Sequence, residues 1–229
     1  MTQIGLSLFF IVLTFVTYKF MARIYARYRA VFLLPILTTT IAIIVLLLTF
    51  DISYDTYMLG GKWIDALLGP AVVALAIPLY KQRDLLKNNL IPIIGGIFVG
   101  SVTAMSSGIL FTQLFGFSKQ IVLTFLPKSI TTPIAMQITS EIGGIPSLAA
   151  VFVIIAGLTG AMFADILYKP FHIDTAIGRG IGLGAASHAI GTSKAIEYGE
   201  QDASMSSIAM TLSALFGSFL GPIAAMIFY

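Results

Sequence analysis

The chain has 229 residues, 58% of them hydrophobic and only 10% charged, and its mean hydropathy of +0.97 lies far outside the make-up of water-soluble domains. Its net charge of +3 and pI near 9.1 do not point to nucleic acid, because the basic residues sit in short stretches between apolar runs, where orientation signals belong. The absence of cysteine excludes disulfides, thiolate metal sites and cysteine nucleophiles and leaves the redox compartment open.

Met1 to Tyr18 is apolar and carries no Lys or Arg, so it lacks the basic start of a secretory signal, and we expect it to be retained as a first helix over Ile4 to Tyr18. Lys19, Arg23, Arg27 and Arg29 follow, a cluster that the positive-inside rule places in the cytoplasm, with the N-terminus outside. A second helix is expected over Val31 to Phe50, an external loop over Asp51 to Lys62, and a third apolar segment over Trp63 to Tyr80. In that third segment Pro70 starts or kinks a helix. The loop Lys81, Arg83 and Lys87 is basic. Leu90 to Ser118, Ile142 to Ala164 and Ala203 to Tyr229 are uncharged and long enough to span. Gly96 with Gly100, and Gly217 with Gly221, are spaced for close helix approach.

Two polar interruptions break this pattern. In Leu126 to Met136, Pro127 and Pro133 lack an N-H, so a continuous helix would leave carbonyls unpaired about one turn earlier. Irregular backbone at membrane depth survives only when buried in protein or lining a wet cavity, so the segment should face a site. Lys128 is the ionisable residue there, and the alternative is a shallow loop from which it snorkels to water. The second interruption is Ser187 to Glu197. If both cross, Lys169 and Arg179 move outside and the charge asymmetry weakens, so the charge rule favours six full spans plus two re-entrant segments. The fold expected is therefore an all-α, polytopic membrane helical bundle forming a single membrane domain over residues 1–229, with an internal repeat whose halves are about 1–118 and 119–229.

Lys128, Ser129, Thr131 and Thr132 form a donor-rich set suited to a carboxylate, and half-helix N-termini would add partial positive charge. His188 and Thr192 are four apart and share a helix face. Ser187, Lys194 and Glu197 are secondary candidates. For Lys194 and Glu197 the plain alternative is a local ion pair, and for His188 a hydrogen bond between helices rather than a proton relay. The run Gly178, Gly180, Gly182 and Gly184 is not a dinucleotide fingerprint and reads as close packing. A serine-lysine hydrolase lacks a nucleophile elbow, so no enzyme, resident cofactor or metal is expected. Asp65, Glu141 and Asp165 read as interfacial carboxylates.

Four ordered motifs, Leu68 to Tyr80, Pro127 to Ala135, Gly143-Gly144-Ile145-Pro146 and Ser187 to Thr192, resemble the LrgB/CidB family over essentially the whole chain. The resemblance implies a multi-pass protein of the bacterial cytoplasmic membrane that acts with a small LrgA/CidA-type membrane partner. Bacterial members are described as holin-like or antiholin-like modulators of murein hydrolase activity and autolysis. A related plastid protein, in which both parts are fused, is a glycolate/glycerate translocator, and bacterial pairs are linked to pyruvate transport. Two buried, donor-rich broken segments are costly features that a selective anion site would explain, whereas a holin-type lesion needs only amphipathic helices. The expected function is a carrier for small monocarboxylates with proton coupling, forming a homo-oligomer in the lipid bilayer. The alternative is a holin/antiholin-like regulator.

Overall fold

The computed structural model describes residues 3–28, 30, 33, 35–74, 76–81 and 83–229. Among them the chain is all-helical, without strands, and falls into two compact units, 1–71 and 72–229. Four helices are long and apolar enough to cross a membrane: Gln3–Tyr28, Leu90–Leu114, Pro146–Tyr168 and Glu200–Phe228. Pro35–Thr49 is a shorter apolar helix.

In the first unit, α1 (Gln3–Tyr28) continues well past Tyr18 through Lys19, Arg23 and Arg27, since nothing there breaks a helix and Lys and Arg are good helix formers. Arg29, and residues 31, 32 and 34 of the expected second helix, lie outside the described residues; α2 is described over Pro35–Thr49. The expected loop Asp51 to Lys62 is instead largely helix α3 (Tyr54–Asp65), because Ser53 caps it by accepting from the Thr56 N-H at 3.2 Å. Trp63 to Tyr80 is not one segment: α3 stops at Asp65 and α4 (Leu68–Ala74) begins at Gly69-Pro70, where a helix running through would lack a donor at Pro70. The α1–α3 contact is close at Gly60, whose added Cβ would lie 2.6 Å from Ser7 O. It is tied by Ser7 Oγ donating to Leu59 O at 2.9 Å and by Thr14 Oγ1 with Tyr57 OH at 3.1 Å.

In the second unit, α5 (Ala76–Lys81) and α6 (Arg83–Asn88) lead into three long helices, α7 (Leu90–Leu114), α10 (Pro146–Tyr168) and α12 (Glu200–Phe228). Between them lie α8 (Lys119–Phe125), α9 (Thr132–Glu141) and α11 (Ala176–Ala195). α7 and α12 run in one direction: Ile93 and Ile97 pack with Met205 and Ile208 near their starts, and Gln113 Nε2 donates to Tyr229 OH near their ends. α10 runs the other way.

The two interruptions are helical hairpins that meet α10 from opposite ends. In the first, α8 and α9 join through a turn at Leu126–Thr131. Ile130 at its tip lies against Gly217 of α12, Ile138 on the returning leg lies against Gly221, and the Ile145 N-H returns to Thr124 Oγ1 at 2.9 Å. In the second, α11 breaks at His188 and folds back, so that Gly191 abuts Leu183 O and Ser187, and Ala195 joins Leu183 and Ala164 in one buried cluster. A straight helix would separate Leu183 from Ala195 by about 18 Å. Gly180 and Gly184 lie against Met205, Ser206 and Ala209 of α12, so the glycine run does serve close packing.

Candidate functional site

The turn of the first hairpin follows from its prolines. Beyond Pro127 the backbone tightens, with Lys128 N-H donating to Phe125 O at 3.1 Å and Ile130 N-H to Pro127 O at 3.0 Å. A new helix then starts after Thr131 with Pro133 in its first turn. This turn projects Lys128 between α7 and α10. Its ammonium donates to Ser129 Oγ at 3.1 Å and lies 5.6 Å from the Phe125 ring centroid. Its Cε lies 3.6 Å from where a Cβ on Gly108 would sit. Among the described residues it forms no ion pair. Lys128 and Ser129 line a cavity of about 390 Å³ with Phe152, Thr159 and Gly160 of α10 and Ala186 of α11. Thr131 caps α9 without a side-chain cap bond, and its buried Oγ1 has no partner among the described residues, while Thr132 is half-buried.

The tip of the second hairpin is held differently. His188 has φ 43 and ψ −127, outside the regions ordinary residues occupy, and such a conformation persists only where its surroundings over-determine it. Here its Nε2 donates to Val153 O at 3.0 Å, its own carbonyl accepts from Thr192 Oγ1 at 3.0 Å, and its ring fills the space a side chain on Gly157 would take. Gly157 is the midpoint of α10, so this tip stops halfway along that helix. Thr192 also pairs with Ser206 Oγ at 2.9 Å. His188 is buried, and neither it nor Thr192 lines the Lys128 cavity. Ser187 is completely buried against Gly160.

The base of the second hairpin carries every ion pair among the described residues. Arg179 grips the buried Asp202 at 2.7 Å (Nε–Oδ1) and 3.3 Å (Nη2–Oδ2), and its Nη1 reaches Asp174 O at 2.7 Å. Lys194 joins Glu197 at 2.7 Å, as the plain sequence reading had it, and also Asp165 at 3.3 Å. Tyr198 donates to Asp165, and burial followed by that carboxylate pushes its phenol above the ordinary range. Asp65, Glu141 and Asp165 are all exposed, as expected of interfacial carboxylates. Sequence reasoning missed the glycine seat Gly157 and Gly160, whose spacing was a usable signal, and the Arg179–Asp202 pair, whose partners are 23 residues apart.

Comparison with known proteins agrees with this picture of a membrane-embedded bundle. The LrgB-like family matches residues 14–227. The uncharacterized protein YxaC of Bacillus subtilis is 49% identical over 229 residues, all of both chains. The holin-like protein CidB of Staphylococcus aureus is 38% identical over 223 residues, 97% of each chain, and that of Staphylococcus epidermidis is 38% identical over 221 residues, 96% of each. No solved structure matches.

Proposed function

The chain belongs to the LrgB-like family of holin-like membrane proteins, and with that as premise we propose that it is a carrier for small monocarboxylate anions of the pyruvate and glycolate class. The observation that carries this reading is Lys128, a cation without an ion-pair partner among the described residues, set in a cavity beside the middle of α10. An unpaired charge at membrane depth is costly, and an anionic substrate would complete it. Ser129, which lines the same cavity and accepts from Lys128, adds a hydroxyl, whereas Thr131 and Thr132 do not line it.

On this reading both hairpins are re-entrant, the bundle has six full spans, and the order hairpin-then-span over residues 119–168 recurs inverted over 176–228, within the expected second repeat half. Arg83, Lys87, Lys169, Arg179 and Lys194 gather toward the end from which the second hairpin enters, and Lys119 toward the other, which supports a cytoplasmic base for the second hairpin; the basic run Lys19, Arg23 and Arg27 after the first apolar stretch separately favours an N-terminus outside. Single cysteines at Gln3 and Arg83 test this: an impermeant reagent should label only the first in intact cells. We assign proton coupling to His188, the titratable group at the tip of the second hairpin, whose Nε2 donates to Val153 O. A small LrgA/CidA-type partner, a homo-oligomer and the bacterial cytoplasmic membrane complete the proposal.

The holin-like CidB relatives favour a second reading, in which this chain is itself holin-like and acts as a regulator of murein hydrolases. Uptake of pyruvate into liposomes, with and without the small partner, separates the two. Saturable, competitor-sensitive uptake supports the carrier, and size-limited leakage of unrelated solutes overturns it.

A further inference from the structure

Each hairpin hides a hydroxyl at its tip. In the first it is Thr131. In the second it is Ser187, which is 0% exposed and whose Oγ has no hydrogen-bond partner among the described residues. Helical Ser and Thr commonly bond the carbonyl one turn earlier, as Thr112, Thr159 and Ser218 do in this chain, so the orphaned Oγ of Ser187 is not the default outcome of a serine in a helix. A buried donor without a partner is a cost that a native fold seldom leaves unanswered. The position of the hydroxyl indicates what answers it. Ser187 Oγ presses on Gly160, so closely that any Cβ there would collide with it, and Gly160 and the neighbouring Ala186 both line the Lys128 cavity. The hydroxyl thus sits directly behind the cavity wall, on the far hairpin from Lys128.

We propose that Ser187 is the second hairpin's ligand for the transported anion: its hydroxyl donates to one carboxylate oxygen while Lys128 and Ser129 hold the other. This rests on the carrier reading and adds a consequence to it. A carboxylate has acceptor sites enough for both tips, so bound anion would tie the two hairpins together.

The test uses full-length protein in proteoliposomes with labelled pyruvate. Ser187→Ala is expected to raise the half-saturation concentration by about tenfold or more, the value of a hydrogen bond to a charged group, without loss of thermal stability. A serine with no part in binding leaves the half-saturation concentration unchanged, which overturns the inference. Because the chain has no cysteine, Ser187→Cys supplies a second reading through a small membrane-permeant thiol reagent. Pyruvate should slow its alkylation, and a rate independent of pyruvate counts against the proposal. If the unmodified protein takes up no pyruvate, the carrier reading itself fails and the inference with it. If it transports while both variants behave like the parent, only the role of Ser187 is lost.

Discussion

The two hairpins share a shape and differ in where they keep their charge. The first has its cation at the tip, in a cavity and without an ion-pair partner, and its base is tied by a neutral bond from the Ile145 N-H to Thr124 Oγ1. The second has no ionised partner at its tip, only His188 on a backbone carbonyl, and concentrates Arg179, Asp202, Lys194, Asp165 and Glu197 at its base. Charge near the membrane surface can be paired and partly hydrated cheaply, whereas charge at mid-depth cannot. The contrast sets an unpaired cation at one tip against a second hairpin that is braced on the flanking helices α10 and α12; on the carrier reading an anion completes the first.

The largest effect should come from the unpaired cation. Lys128→Ala is expected to reduce pyruvate uptake to background while leaving membrane insertion intact. Lys128→Arg keeps the charge but not the shape and should retain a trace of activity. Lys62→Ala, which alters an exposed lysine of the first unit, is the control. Normal uptake by Lys128→Ala would erase the functional difference between the hairpins.

Next comes the brace. Asp202 is 3% exposed and its partner Arg179 only partly so, so Asp202→Ala should destabilise the purified protein by about 1–3 kcal/mol. The more exposed Lys194 network should yield no more than about 1 kcal/mol in Lys194→Ala. Thermal unfolding in detergent measures both, and equal losses would mean that burial does not govern this network.

A comparable effect is expected at the base of the first hairpin. Thr124 is fully buried, donates to Gln120 O at 2.6 Å and accepts from Ile145 N-H at 2.9 Å, so Thr124→Val orphans that N-H at a cost of about 1–3 kcal/mol. Thr124→Ser should restore most of it. If Val and Ser behave alike in the same unfolding assay, the bond does not hold this hairpin closed.

Much of this arrangement was legible in the sequence, for local reasons. Prolines at 127 and 133 mark the first turn, the long uncharged runs mark α7, α10 and α12, and Lys128 within the first interruption marks the cavity. What was not legible depends on distant partners. The second break falls at His188, where neither Gly nor Pro announces it, because the strained backbone is held by Val153, Gly157 and Thr192 rather than by its own preference. Thr192 belongs to the tip by sequence but is spent on Ser206, a contact that only the packing of α11 on α12 creates. In the third apolar stretch the helix start at Pro70 was legible, but that Trp63 to Asp65 belong to α3 was not, because composition alone could not weigh Ser53 as a cap.

The smallest expected change, and the one that divides the roles of His188, is in the response to pH. An inward-moving carboxylate must climb the negative-inside potential at about 2.3 kcal/mol per charge per 100 mV, and co-transport of one proton removes that barrier. His188 can serve this only if its tip stays pinned while Nδ1 changes state, because Nε2 is committed to Val153 O. His188→Gln preserves an amide donor for that carbonyl but cannot titrate. We expect it to insert, fold and transport at a reduced rate, and to lose the rise in uptake with falling external pH that proton coupling predicts for the parent protein. If instead His188 only pins the tip, the variant should keep the parent's pH profile and show a modest drop in thermal stability, of about 0.5–1.5 kcal/mol for one hydrogen bond made less well. Initial rates across imposed pH gradients distinguish the two: an unchanged profile reduces the second hairpin to a scaffold at His188, and a flattened one makes it the proton-bearing counterpart of the charge-bearing first.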